Sequence, residues 1–267
     1  MGKIALAVAR QDVVNILEDW KLEWKKTDSA LKANYNDETE DDMTVLMGEA
    51  SRKIFNLPTF LLDRPDCETN PDFLQLLPYA VFVAREDETE FPNGKILVYQ
   101  RGKSGDENRL HNLYSIGIGG HVEESPTDNK DLLSVLADNL IREIDEELHI
   151  DLDMLAKNNH MSAEEYVTRL KVGMMENAFF LYHSNPVGSA HLGIGIVLAV
   201  NNSLLETAVG ENDVINNLQL MDYFSKFRPL ACDENGYSHL EGWSFLCYRV
   251  IEKNVTQYFP RKYKAVK

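Results

Sequence analysis

Arg142-Glu143-Ile144-Asp145-Glu146-Glu147 packs five charged side chains into six residues. The apolar residues leading through it (Leu132, Leu133, Leu136, Leu140, Ile144, Leu148) recur at three-four spacing, which predicts an amphipathic helix over 132–148. On that helix Glu143, Glu146 and Glu147 stand at i, i+3 and i+4. They project from one face with Cβ atoms about 5–6 Å apart. They also sit at its C-terminal end, where each acid opposes the macrodipole by roughly 0.3–1 kcal/mol. Three carboxylates this close repel one another, and Arg142 alone cannot neutralise them. A divalent cation can, because Mg²⁺ and Mn²⁺ take oxygen ligands from a few carboxylates together with substrate phosphates. Taken alone, the triplet more commonly marks a solvated face on an acidic chain.

The upstream context favours the metal. Ser115-Ile116-Gly117-Ile118-Gly119-Gly120-His121-Val122-Glu123 carries a strand into a Gly-Gly loop and on towards the acidic helix. Together the two segments resemble the Nudix box: a Gly, five residues, a Glu, seven residues, then Arg-Glu-apolar-x-Glu-Glu-x-Gly-apolar. The match is close over Arg142 to Leu148 and at the opening Gly119-Gly120-His121-Val122-Glu123. Leu61-Leu62-Asp63-Arg64, Leu77-Pro78-Tyr79, Arg109-Leu110-His111-Asn112 and Ser184 to Gly193 are similar to a Nudix branch described as predicted phosphoesterases with a Gly-Ile-Gly-Gly-His loop. The sequence departs from the box twice. Gly120 to Ile150 is about eight residues longer than the pattern, the extra residues falling around Ser125 to Asp131. The pattern's first Glu therefore has no fixed counterpart, and Glu123, Glu124 and Asp131 are its candidate substitutes. His149 also stands where the pattern has Gly.

The resemblance implies a Mg²⁺- or Mn²⁺-dependent hydrolase, a phosphoesterase or pyrophosphatase, that splits the diphosphate linkage of a nucleoside diphosphate derivative. Glu143, Glu146, Glu147 and the main-chain carbonyl of Gly120 would be metal ligands, and Arg142 would orient the carboxylates. Such a metal neutralises developing charge, orients phosphates and lowers the pKa of bound water. Glu146, Glu147 and Arg142 form the expected catalytic group. The general base stays open among Glu146, Glu147 and the later acids Glu206, Glu211 and Asp213. Arg101, Arg109, His111 and His121 are the expected substrate contacts, with His121, directly after Gly-Gly, the best placed. Tyr79, Phe82, Trp243 and Phe245 suit base stacking or, more commonly, core packing. The alternative is a Nudix-fold nucleotide sensor that does not cleave. An isoprenoid diphosphate isomerase would need a catalytic cysteine, and no cysteine lies in a convincing motif.

The elements that must position these residues follow from the patterning. A first strand runs to Ala9, and the charged stretch Asp12 to Ser51 is helical in tendency. Strands are expected at Leu77–Ala84 and Lys95–Arg101, joined by turn chemistry at Phe91-Pro92-Asn93-Gly94. A third is expected over 113–118, and further strands over 169–175, 178–183, 191–200 and 218–224. A closing helix is expected from about His239 to Lys253. The order predicts an α/β (α+β) fold, a mixed sheet sandwiched between helices with an N-terminal extension. Residues 1–75 would form that extension, 76–258 the Nudix domain and 259–267 a basic tail.

Composition sets the outer bounds. The 267 residues carry 27 Lys and Arg against 43 Asp and Glu, a net charge of −16, which repels polyanions and argues against duplex nucleic acid. The longest apolar run, Leu192 to Val200, is too short to span a membrane. Cys67, Cys232 and Cys247 form no metal or disulfide pattern and suit the cytoplasm. The expected partner is a small-molecule nucleotide diphosphate derivative. A homodimer is among the expected states because many Nudix proteins dimerise.

Overall fold

The computed structural model describes residues 3–19, 32–33, 49–85, 92–102, 113–181, 190–210, 215–233 and 237–259. The chain opens with β1 (Ile4–Ala9) and α1 (Arg10–Asp19), followed by the two-residue β2 (Lys32–Ala33), α2 (Glu49–Phe55), β3 (Thr59–Asp63) and α3 (Arg64–Thr69). Strands β4 (Phe73–Arg85), β5 (Pro92–Arg101), β6 (Tyr114–Ser115) and β7 (Gly117–Gly119) lead into α4 (Leu132–Leu148), α5 (Leu152–Asn158) and α6 (Ala163–Asn177). Then come β8 (Phe179–Leu181), β9 (His191–Asn201), α7 (Asn202–Thr207) and β10 (Ile215–Asp222). A π-helical turn (Tyr223–Phe227), α8 (Arg228–Ala231), β11 (Tyr237–Ser238), α9 (Gly242–Lys253) and α10 (Val255–Tyr258) complete it.

Strand β4 is the spine of the sheet. It is apolar on both faces, as a strand covered on both sides must be. Leu74, Leu76, Ala80 and Phe82 join one buried cluster. Tyr79, Val81 and Val83 join a second. Along one edge β4 pairs in parallel with β9 from Gln75↔His191 to Arg85↔Asn201. Its other edge is shared by three antiparallel partners in succession: β1 at Phe73–Gln75, β7 at Tyr79–Val81 and β5 at Val83–Arg85. Nine strands of the described residues form this mixed sheet, and β2 and β11 pair separately. The N-terminal strand is part of it, lying between β3 and β4.

The two clusters place helices on both faces. Leu136, Leu140, Ile144 and Leu148 of α4 and Leu170 and Met174 of α6 cover one side. Leu246, Cys247, Val250 and Ile251 of α9, with Tyr223 and Phe227, cover the other. This is the sandwiched mixed sheet that the element order predicts. The predicted bounds of the acidic helix, 132–148, are those of α4. Asp131 caps its start by accepting from the Ser134 N–H at 2.8 Å.

Several expectations need correction. Residues 169–175 are helical, not a strand. They lie in α6, whose start is fixed by a capping box in which Ser162 and Glu165 each bond the other's backbone N–H. Leu170 and Met174 bury at i, i+4, the spacing of a helix face rather than of a strand. The single third strand is two: β6 pairs with β5 and β7 with β4, so the chain changes partner at Ile116. Pro92–Gly94 belong to β5 rather than to a turn, with a register shift at Ala84/Arg85 and Gly94 at φ 86°. Tyr223 and Phe224 leave β10 for the π-helical turn. The acidic run 37–42, the turn 184–189 and the basic tail lie outside the described residues.

His149 explains why its position favours glycine. It closes α4 in the left-handed region at φ 54°, ψ 39°, its N–H bonded to the Asp145 carbonyl at 2.9 Å. A Cβ there costs roughly 1–2 kcal/mol. His149→Gly is therefore expected to stabilise the protein by about 1 kcal/mol, read as a higher urea midpoint at unchanged slope.

Candidate functional site

The C-terminal half of α4 faces the loop that leaves β7, and the sequence dictates how closely. Gly120 has no side chain because a Cβ built there would fall on the Glu143 carboxylate. Glu143 is thereby clamped between loop and helix, its side chain 13% exposed against 55% for Glu146. Burial pushes the Glu143 carboxyl above its ordinary value; Arg142 opposes the rise, and the charges of Glu146 and Glu123 add to it. Arg142 spans the two acids. Its Nη1 donates to Glu146 Oε2 at 2.8 Å and its Nη2 to Glu143 Oε1 at 2.5 Å. Nη2 also reaches Asn139 Oδ1 at 2.8 Å and the His121 carbonyl at 3.4 Å.

Strand β5 brings Arg101 to the α4 side of the sheet, since Leu97 and Tyr99 of the same alternation pack in the α4 cluster. The guanidinium lies 5.7 Å from the centroid of the Tyr99 ring. It is held firmly cationic by Tyr99 first, with burial opposing, then by Glu241, Tyr79 and Glu147. Its Nε is buried with no hydrogen-bond acceptor among the described residues, a donor suited to an incoming anion.

His121 does not supply charge. Its Nε2 lies 3.0 Å from His191 Nε2, so one imidazole donates and the other accepts. Burial, Arg64, His191 and Lys3 press its pKa down to about 3. On the far face, Tyr79, Ser115 and Ser244 hydroxyls all reach Glu241 Oε1, at 2.9, 3.3 and 2.5 Å. Glu241 caps α9 through the Trp243 and Ser244 N–H groups, so this buried carboxylate ties helix to sheet. Tyr79, Phe82 and Phe245 are core residues. Trp243 is half-buried, edge-on to Tyr79 and His191 at 5.9 and 6.3 Å between centroids.

Glu143, Glu146, Arg142, Gly120 and His121 thus lie together. Glu147 comes from the same helix end, and its charge reaches Tyr99 and Arg101. Arg109, His111, Glu211 and Asp213 lie outside the described residues. Glu206 accepts from Asn202 on α7. Among the described residues no three His, Cys, Asp or Glu side chains converge as a ready metal cage, and Arg142 bridges two of the acids. The donor set still fits a hard cation: carboxylates and a main-chain carbonyl, all oxygen, with Glu143 desolvated against a glycine.

Sequence reasoning missed two residues, Asn139 and His191 as the partner of His121. Asn139 was legible as the one amide in the helix, set between the apolar Leu136 and Leu140 and three and four residues before Arg142 and Glu143, and a buried amide needs partners. The inserted loop is pinned by Lys130, whose Nζ reaches Glu124 at 2.6 Å and Asp138 at 2.9 Å.

No family model matches the chain. Protein YmaB of Bacillus subtilis (strain 168) is 30% identical over 191 residues, which cover 71% of this chain and 76% of that protein. Among solved structures, Tm1382, provisionally called a Nudix hydrolase, superposes with a TM-score of 0.54 at 19% identity. The alignment spans 93% of this chain and 97% of that one. That likeness shows the fold.

The His121 environment predicts an acid sensitivity. An unfolded imidazole takes a proton near pH 6.5 and the folded one near 3. Between those values the unfolded chain binds more protons, so stability falls as pH drops below about 6.5. The urea midpoint is expected to be lower at pH 5 than at pH 7.5, and His121→Gln to lose less over the same interval.

Proposed function

We propose that this chain, which belongs to the family of Bacillus subtilis protein YmaB and has the Nudix fold, hydrolyses the diphosphate linkage of a nucleoside diphosphate derivative with Mg²⁺ or Mn²⁺ as cofactor. The observation that carries this reading is the interlocked cluster of Arg142, Glu143 and Glu146 facing Gly120. The all-oxygen donor set and the Arg101 cation support it from the same side of the sheet.

In this reading Glu143, Glu146, Glu147 and the Gly120 carbonyl hold the ion. When bound, it supplies charge neutralisation at the phosphates and a lowered pKa for attacking water. Arg142 keeps Glu143 and Glu146 aligned by charge-assisted hydrogen bonds. Arg101 offers its unsatisfied Nε and its permanent charge to a phosphate oxygen. Arg109 and His111 are further substrate contacts. His121, neutral, serves as a hydrogen-bonding group rather than a counter-ion. Glu146 or Glu147 takes the proton of the attacking water, with Glu206, Glu211 and Asp213 as the later candidates. The water oxygen bonds to one phosphorus as the bridging P–O bond breaks, and the bridging oxygen leaves on the other phosphate, giving a nucleotide and a phosphorylated remainder. Residues 76–258 carry the hydrolase site, and residues 1–75 extend the same sheet through β1, β3 and the start of β4. The protein works in the cytoplasm. Among the described residues no helix is long and apolar enough to cross a membrane.

Product formation from ADP-ribose, NADH, dinucleoside polyphosphates, sugar nucleotides and nucleoside triphosphates, with Mg²⁺ or Mn²⁺ at mildly alkaline pH, tests the reading. Turnover of at least one compound is expected. It should be abolished by EDTA and restored by metal, and Glu143→Gln or Glu146→Gln should lower it about 100-fold or more. Nucleotide binding without turnover would replace the hydrolase with a sensor.

A further inference from the structure

Asn139 is 7% exposed and lies on α4 between Leu136 and Leu140, both fully buried. A carboxamide there costs free energy unless both its ends are bonded. Both are. Nδ2 donates to the Gly120 carbonyl at 3.3 Å, and Oδ1 accepts from Arg142 Nη2 at 2.8 Å. Asn139 precedes Arg142 and Glu143 by three and four residues, so the three share one helix face.

The acids that the sequence offers for the missing box glutamate are engaged elsewhere or turned outward. Asp131 caps α4, Glu124 binds Lys130 and Glu123 is exposed. None of them bonds Arg142, whose acceptors are Glu143, Glu146, Asn139 and the His121 carbonyl.

We propose that Asn139 is the positioning residue of this site: it fixes the Gly120 carbonyl and the Arg142 guanidinium relative to each other, and so sets the site's affinity for a divalent cation. The inference rests on the metal-dependent reading above. A carbonyl oxygen has two lone pairs. The bond from Asn139 uses one and holds the other in a fixed direction. The neutral side chain also suits the place better than an acid. A carboxylate at 139 keeps an acceptor for Arg142 but has no donor for Gly120. A cavity of about 190 Å³ borders Asn139 and Arg142 and is lined also by Glu123, Glu124 and Asp138. Truncating Asn139 would open the gap between carbonyl and guanidinium to water from that side.

The test is Mn²⁺ binding by the full chain, read from the paramagnetic resonance signal of the free ion, with thermal unfolding followed in parallel. Wild type, Asn139→Ala and the near-isosteric Asn139→Asp are compared. Both variants are expected to bind Mn²⁺ about 10–100-fold more weakly, with unfolding midpoints above the assay temperature. Binding within twofold of wild type in Asn139→Ala would overturn the positioning role and leave the metal reading intact. Full recovery in Asn139→Asp would overturn it as well, because an acceptor for Arg142 would then suffice without a donor to Gly120. Absence of Mn²⁺ binding in the wild type would overturn both readings. Should Asn139→Ala not fold, the uncharged, similarly shaped Asn139→Leu, which removes both hydrogen bonds, decides in its place by the same twofold criterion.

Discussion

Repulsion among like charges at the wrong end of a helix is the constraint around which this protein is arranged. Glu143, Glu146 and Glu147 crowd the C-terminal turns of α4, where the dipole disfavours each of them, and no basic residue stands in the last turn. Arg142 relieves part of the strain by bridging Glu143 and Glu146. An exposed bridge of this sort is worth little by itself. What gives it consequence is the company of Asn139, the loop carbonyls and the glycine that lets the loop lie directly on Glu143. The local charge is still negative after the bridge forms, which is the electrostatic condition for recruiting a cation.

The sheet exists, from the site's point of view, to hold that loop against that helix. β7 pairs with the middle of β4 while α4 packs across the same face through Leu136, Leu140 and Ile144. Both sides of the cleft are therefore referenced to one strand. The N-terminal strand contributes to this frame as well: the Leu6 N–H bonds the Val122 carbonyl at 2.7 Å, holding the chain just beyond His121. Lys130 does the same for the inserted segment, joining Glu124 to Asp138 so that the extra residues fold back onto α4. The insertion thus lengthens the box without loosening the part that faces Glu143.

Charge is sorted by the two faces of the sheet. On the α4 side, Arg101 and the helix acids carry the charge, with Glu147 acting electrostatically on Arg101. On the α9 side, the carboxylate of Glu241 is consumed by hydroxyls and helix N–H groups and holds the structure together. Buried acids of equal formal charge therefore play different parts. Glu241 accepts from hydroxyls and the Ser244 N–H at Oε1 and from the Trp243 N–H at Oε2, whereas the Glu143 carboxyl is raised by burial and shares a single cation with a neighbour.

The sequence by itself determined α4 from end to end and the common face of its three glutamates, because helical periodicity depends only on residues three and four apart. It also determined the strands β4, β5 and β9, whose apolar and β-branched runs read the same in isolation as in the sheet, and the mixed, two-sided architecture that their order implies. The capping box of Ser162 and Glu165 was a local signal for a helix over 169–175, but the burial of Leu170 and Met174 that settles it came only with the tertiary structure. The tertiary structure alone joined His121 to His191, Arg101 to the end of α4, and Asn139 to both Gly120 and Arg142. Those meetings depend on which strands pair and at what register. Pairing is settled by the burial of whole faces, a sum over distant residues that no local spacing records.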